Sequence, residues 1–161
     1  MDEILEVLSN DARITPAEIA KLTKRNVNDV KKAIKNYEKN GTIVKYKAII
    51  NQGMLKEEKE RVRALIEVSI LPQKDVGFDY ISERIYSFPE VSSCYLVSGT
   101  YDLLVVVEGS SLQDVSEFIS SKLAPMQNVR STATHFLLKK YKEDGQIFKR
   151  STQSKRLNIS F

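Results

Sequence analysis

Residues Ile14-Thr15-Pro16-Ala17-Glu18-Ile19-Ala20-Lys21-Leu22-Thr23-Lys24-Arg25-Asn26 read as a short capped helix, a tight turn and the cap of a second helix. Thr15 is placed to cap the first of these, Pro16 suits its first position, and Glu18 can reach back to the Thr15 amide, completing a capping box. Ile19, Ala20 and Leu22 supply a small apolar face. Asn26 is a good second cap. Val27, Val30, Ile34 and Tyr37 then recur at helical spacing, which predicts one buried stripe. Two short helices joined in this way form a helix-turn-helix, the unit whose second helix enters the DNA major groove.

Upstream, Asp2 to Asn10 reads as a helix with Ile4, Leu5 and Leu8 turned inward. Downstream, Thr15 to Leu22 and Val27 to Lys39 are the second and third helices, and Asn40-Gly41 ends the third in the left-handed manner. Thr42 to Ile50 is rich in β-branched residues and alternates with Lys45 and Lys47, so it predicts a strand leaving a winged-helix-like unit over residues 1–49. Residues 50–61, with Gly53 and the charged run Lys56 to Glu60, read as a linker.

Beyond it one pattern occurs twice. Strand candidates Val62–Leu71 and Val91–Ser98 flank a helix at Asp75–Phe88, with Phe78, Ile81, Ile85 and Phe88 inward. Strand candidates Asp102–Glu108 and Val129–Lys139 flank a helix at Leu112–Leu123, with Leu112, Val115, Ile119 and Leu123 inward. A β-α-β unit followed by another is the ferredoxin-like order, here over residues 62–140: an antiparallel sheet with two helices on one face. The fold class is therefore α+β. Leu103 to Val107 is apolar on both faces, so the uncovered sheet face is expected to meet another subunit. Residues 141–161 are polar and basic and read as a flexible tail.

The charge is unevenly placed. From Lys21 to Ile49 nine basic residues face two acidic ones, a balance of +7; from Arg61 to Asn128 five face nine, a balance of −4. A basic block beside an acidic one suggests a nucleic-acid-binding part joined to a part that does not bind it; lysines that merely solvate a helix are the plainer reading of charge alone. The single cysteine, Cys94, leaves no internal disulfide or multi-cysteine zinc site. No apolar run approaches a membrane span, and the start Met1-Asp2-Glu3 is not a basic leader, so a soluble, cytoplasmic protein with no membrane association is expected.

Several motifs carry a family resemblance. Asp11 to Thr15 with Ala17 to Ala20, Asn26 with Val30, and Tyr37 to Ile43 stand in the N-terminal part. Pro89-Glu90-Val91, Ser98 to Asp102 and Val129 to Thr134 stand in the C-terminal part. In this order and spacing the chain resembles the Lrp/AsnC family, the leucine-responsive or feast/famine regulators of bacteria and archaea. The resemblance implies a homodimer, dimers joined into higher oligomers, and an amino-acid effector held near the Gly99–Asp102 turn between dimers. Where the family commonly carries an arginine within the recognition helix, this chain has Ala33.

Helical geometry turns Asn28, Lys32, Asn36 and Lys39 away from the predicted stripe, with Asp29 and Lys35 flanking. Asn28, Asp29 and Lys32 are the base-contact candidates, since Asn pairs with adenine, Lys with guanine and Asp with cytosine. Lys24, Arg25 and Lys35 are candidates for phosphate contacts, and Asn36 completes the expected DNA face of double-stranded DNA binding. In the turn, Gly99, Thr100, Tyr101 and Asp102 can meet a small zwitterion, the carboxylate holding an ammonium; equally, Asp102 can cap local backbone. The resemblance adds Thr132 and Thr134 to the effector site, although alternating threonines are ordinary in strands. His135 stands alone on the opposite face of that strand. No nucleophile–base constellation, phosphate loop or metal-ligand cluster is legible, so no enzyme activity, metal or cofactor is expected. The reading is a sequence-specific DNA-binding transcription regulator; an architectural DNA-binding protein and a metabolite sensor without DNA are the alternatives.

Overall fold

A computed structural model of the chain describes residues 1–55, 61–71 and 77–148. The charged run from Lys56 to Glu60, the expected helix start at Asp75, and the basic positions from Lys149 onward lie outside the described residues. The chain divides into two compact units, Met1–Ile50 and Asn51–Phe161.

The first unit holds α1 (Glu3–Asn10), α2 (Pro16–Thr23) and α3 (Val27–Lys39). Ile4, Ile19, Ala20 and Val30 are its buried centre, with Val7, Leu8, Ile14, Ala33, Ile34 and Tyr37 packed around them. Two expected inward residues are corrected here. Leu22 is 64% exposed and Val27 sits in the first turn of α3 at 36% exposure. The buried stripe starts one turn later, at Val30, and Ala33 belongs to it. The small side chain at position 33 therefore faces the core, not solvent. The strand expected over Thr42–Ile50 is also corrected: among the described residues this segment pairs with no other strand, and Val44 stands 89% exposed. β-Branched residues favour extended backbone, but a strand needs a ladder partner to form.

The second unit is built on a four-stranded antiparallel sheet in the order β2 (Val91–Leu96), β3 (Leu103–Gly109), β1 (Val62–Ile70), β4 (Val129–Phe136). Helices α4 (Phe78–Tyr86) and α5 (Leu112–Phe118) cross between non-adjacent strands, which gives the ferredoxin-like topology. Strand alternation sets the two faces. Ala64, Ile66, Val68 and Ile70 of β1 and Leu103, Val105 and Val107 of β3 point to the helices and pack with Ile81, Ile85, Val115, Phe118 and Leu123. Full burial of a side chain such as Ile66 or Leu103 contributes roughly 1.5–3 kcal/mol. Phe78 and Leu112, expected inward, are 37% and 57% exposed, because each opens its helix and overhangs the sheet. The helix begun by α5 also changes hand-over: after Phe118 it loosens into a π-turn, Ile119–Leu123. Gly109 is required where β3 passes under α5, since a Cβ there would lie 2.9 Å from Val115 Cγ2.

The expected tail is corrected over its described part. Lys142–Glu143 (β5) and Gln146–Ile147 (β6) form a hairpin around Asp144-Gly145, both at positive φ. An Asp-Gly pair supports the tight turn that such strands need. Glu143 anchors the hairpin to the main sheet by accepting from Arg63 at 2.8 Å, and it pairs also with Lys140.

Candidate DNA-binding surface and effector-domain turn

The DNA face begins with the caps. Thr15 N–H donates to Glu18 Oε2 at 2.8 Å while Glu18 N–H donates back to Thr15 Oγ1 at 3.3 Å, so the expected capping box is present. The Thr15 hydroxyl, then the Thr15 amide, hold the Glu18 carboxyl below its ordinary value. Lys24 closes α2 in the left-handed conformation with φ +52°, and Asn26 caps α3 by accepting from Asn28 N–H at 2.8 Å. These local bonds fix where α3 starts and so which of its residues face out. Asn28, Asp29, Lys32, Lys35 and Asn36 are all exposed, on the side opposite Val30, Ile34 and Tyr37.

Arg25 stands differently from the other cations. Its guanidinium meets Asp2 at 3.1 and 3.3 Å and Glu3 at 3.9 Å. Asp2 also caps α1 through Ile4 N–H and accepts from the Tyr37 hydroxyl. Sequence reasoning missed this cluster. The Tyr37 hydroxyl foremost, then the Ile4 amide and Arg25, hold the Asp2 carboxyl below its ordinary value. One residue thus ties α1, the α2–α3 turn and α3 together, and a phosphate would have to compete with Asp2 for Arg25.

In the second unit, Gly99 and Thr100 are exposed and Tyr101 and Asp102 half-buried. Asp102 joins three segments. Its N–H donates to Val68 O at 3.1 Å, its carbonyl accepts from Val97 N–H at 2.9 Å, and its Oδ2 accepts from Ile70 N–H at 2.7 Å. The last bond falls where the β1–β4 register shifts, between Ser69 and Ile70. Thr132 and Thr134 are half-buried on the helix side of β4, opposite Val68 and Ile66. The central strand β1 therefore lies between the turn and the two threonines. Within one chain they share an end of the sheet.

A cavity lies on the sheet's other face. It has a volume of about 450 Å³ and is lined by Leu65, Val106, Leu137, Tyr141 and the Arg63–Glu143 pair among others. His135 lies on this face and contacts Glu67 at 3.1 Å. Cys94 is half-buried beside the core, and burial pushes its thiol up. Among the described residues, no group of three or more His, Cys, Asp or Glu side chains could hold a metal ion, and no helix is long and apolar enough to cross a membrane.

Comparison with known proteins bears on both units. Residues 63–147 match the model of the Lrp/AsnC ligand binding domain, and residues 3–44 match that of a winged helix-turn-helix DNA-binding domain. The chain is 46% identical over 158 residues to the HTH-type transcriptional regulator YugG of Bacillus subtilis, covering 98% of this chain and 95% of that one. Among solved structures, it is similar to a Neisseria meningitidis transcriptional regulator in complex with L-Met: TM-score 0.65, 26% identity, 88% of this chain and 89% of that one. It shares its fold with the Mycobacterium tuberculosis leucine response regulatory protein: TM-score 0.70, 24% identity, 91% of this chain and 96% of that one.

Proposed function

Because the chain belongs to the Lrp/AsnC family, we propose that its first unit reads operator DNA through α3 and that its second unit answers to an amino acid. It is a DNA-binding transcription regulator with a ligand-binding domain. The observation that carries the reading is the polar face of α3, with Asn28, Asp29, Lys32, Lys35 and Asn36 exposed behind a stripe fixed by two helix caps. Asn28, Asp29 and Lys32, nearest the helix start, meet base edges. Lys24 and Lys35 meet phosphates, which position the helix without specifying sequence. Arg25 serves first as a clamp on Asp2.

The uncovered sheet face supports assembly. It carries the half-buried Leu65 and Leu104, with Tyr95 54% and Leu137 39% exposed at its sides. Apolar side chains grouped on one sheet face favour an interaction surface. A second copy packing sheet against sheet gives a homodimer with two DNA-reading helices for successive major grooves, and dimers can join further. An amino acid near Gly99–Asp102, with Thr132 and Thr134 supplied across a subunit boundary, then shifts assembly or DNA affinity. Because β1 separates the turn from the two threonines, a site that uses both is best completed by another subunit. A regulator of this kind works in the cytoplasm, without catalysis and with no bound cofactor.

The test is calorimetric titration of each proteinogenic amino acid into the full chain, with DNA affinity remeasured for any that binds. Coupling through unequal affinity for two states requires that a ligand which shifts DNA binding also binds more tightly in the presence of DNA, or less tightly, by the same factor. No binding by any amino acid would remove the effector half of the reading.

A further inference from the structure

His135 is the chain's single histidine, and the sheet places it beside a carboxylate on the face that we have read as the dimer surface. Strand register brings this about. His135 of β4 lies opposite Leu65 of β1, and Glu67 follows two residues on, so the two side chains are diagonal neighbours. His135 Nε2 is 3.1 Å from Glu67 Oε1.

Arg63, Lys139 and Lys140 around that face have partners of their own. Arg63, also on β1, meets Glu143 at 2.8 Å and Glu108 of β3 at 3.8 Å. Lys140 pairs with Glu143, and Lys139 stands 4.4 Å over the Tyr141 ring. Lys142 lies on β5, and Tyr95 of β2 shares a cross-strand row with Leu104 and Glu67. Among the described residues, the side chain paired with Glu67 is therefore His135. In a lone subunit this matters little, because the Glu67 side chain is 34% and that of His135 61% exposed to water. Packing a second sheet over them removes that water. An ionised carboxylate taken out of water without a counter-charge is costly, whereas the same carboxylate beside an imidazolium is compensated. Histidine is the side chain whose charge changes near neutral pH, with an unperturbed value of about 6.5.

We propose that His135 and Glu67 form a proton-binding site at the surface where two copies of this chain meet, so that assembly tightens as His135 takes up a proton. This rests on the sheet-to-sheet dimer proposed above. A two-fold axis doubles the effect, since each subunit brings one pair. By linkage, one proton bound per pair on assembly raises the dimer dissociation constant up to tenfold per pH unit above the histidine's ordinary value for each pair, and up to a hundredfold for the two together.

The experiment is sedimentation velocity on fluorescently labelled full-length chain across a dilution series, at pH 6 and pH 8 and constant ionic strength. The wild type is expected to show a dimer dissociation constant at least tenfold larger at pH 8. Glu67→Gln removes the charge that needs compensating, so it is expected to dimerise at pH 8 as tightly as the wild type at pH 6. His135→Gln is expected to be weak at both. Equal constants for the wild type at the two pH values, or pH dependence surviving in both variants, would overturn the proton site while leaving the dimer standing. A wild-type chain that stays monomeric at every concentration and pH would instead overturn the sheet-to-sheet reading, and the proton site with it.

Discussion

The Asp102 carboxylate accepts the backbone N–H of Ile70 at 2.7 Å, across 32 residues of sequence. The bond closes the register shift at the end of β1 and fixes the turn from Gly99 to Asp102 against the sheet. One oxygen of the proposed ammonium-binding carboxylate is therefore already engaged with backbone, and the structural and effector roles of Asp102 can be separated by substitution.

Asp102→Ala leaves the Ile70 N–H without its acceptor. Loss of a hydrogen bond to a charged group predicts a cost of about 1–3 kcal/mol, read by urea unfolding. Asp102→Asn keeps an acceptor and should recover most of that stability. If Asp102 also holds an amino-acid ammonium, the Asn variant should still lose effector affinity in calorimetry. A variant with normal stability and normal effector binding would confine Asp102 to the backbone role.

Asp2 makes the first unit sensitive to acid. Tyr37, Ile4 and Arg25 hold its carboxyl below the ordinary 3.8. A carboxyl lowered on folding adds stability above its unfolded value and loses it as pH falls through the folded one. The helical signal at 222 nm should therefore melt at progressively lower temperature as pH falls below about 4. Asp2→Asn retains the cap but not the charge, and should flatten that slope. Asp2→Ala removes the cap as well and should cost about 1 kcal/mol at neutral pH.

Three substitutions sort the cations of the DNA face. Lys24→Ala should weaken binding to all DNA alike and reduce the steepness of its salt dependence by about one unit of slope. Lys32→Ala should change the order of preference among operator variants. Arg25→Ala should lower the stability of the first unit through the lost Asp2 pair, with the smaller change in salt slope. Anisotropy titrations on a panel of duplexes, with thermal melts of each variant, distinguish the three. A reversal of the Lys24 and Lys32 patterns would exchange their assigned roles.

Gly109→Ala tests how tightly α5 packs on β3. The new methyl group would come within 2.9 Å of Val115 Cγ2 and 3.3 Å of Asp114 Cβ. Overpacking of this kind costs about 1–3 kcal/mol, and the unfolding midpoint in urea should fall accordingly. An unchanged midpoint would mean that α5 shifts freely to admit it.

These residues mark where sequence was enough. The Thr15–Glu18 capping box and the Asn26 cap are made within three residues, so local chemistry determines them, and they in turn fix the outward face of α3. The strand and helix order of the second unit was equally legible from apolar spacing. Stripe ends were less so. Val27, Phe78 and Leu112 obey the helical period but sit in first turns that overhang their partners. The Asp144-Gly145 turn had a readable signal, obscured by the basic composition around it. The Asp2 cluster and the Asp102–Ile70 bond join positions 23 to 35 residues apart, and no local pattern announces such contacts. The two threonines were placed on the right strand, but the width of β1 between them and the turn emerges only from strand order.

The central claim is that α3 reads a particular DNA sequence. Its most direct test is fluorescence anisotropy of the full chain on the DNA upstream of its own gene and on a scrambled duplex of equal length, each at two salt concentrations. The account predicts tighter binding to the upstream DNA at both salts, with affinity for either duplex falling steeply as salt rises. Equal affinity for the two duplexes, or no binding to either, would contradict it.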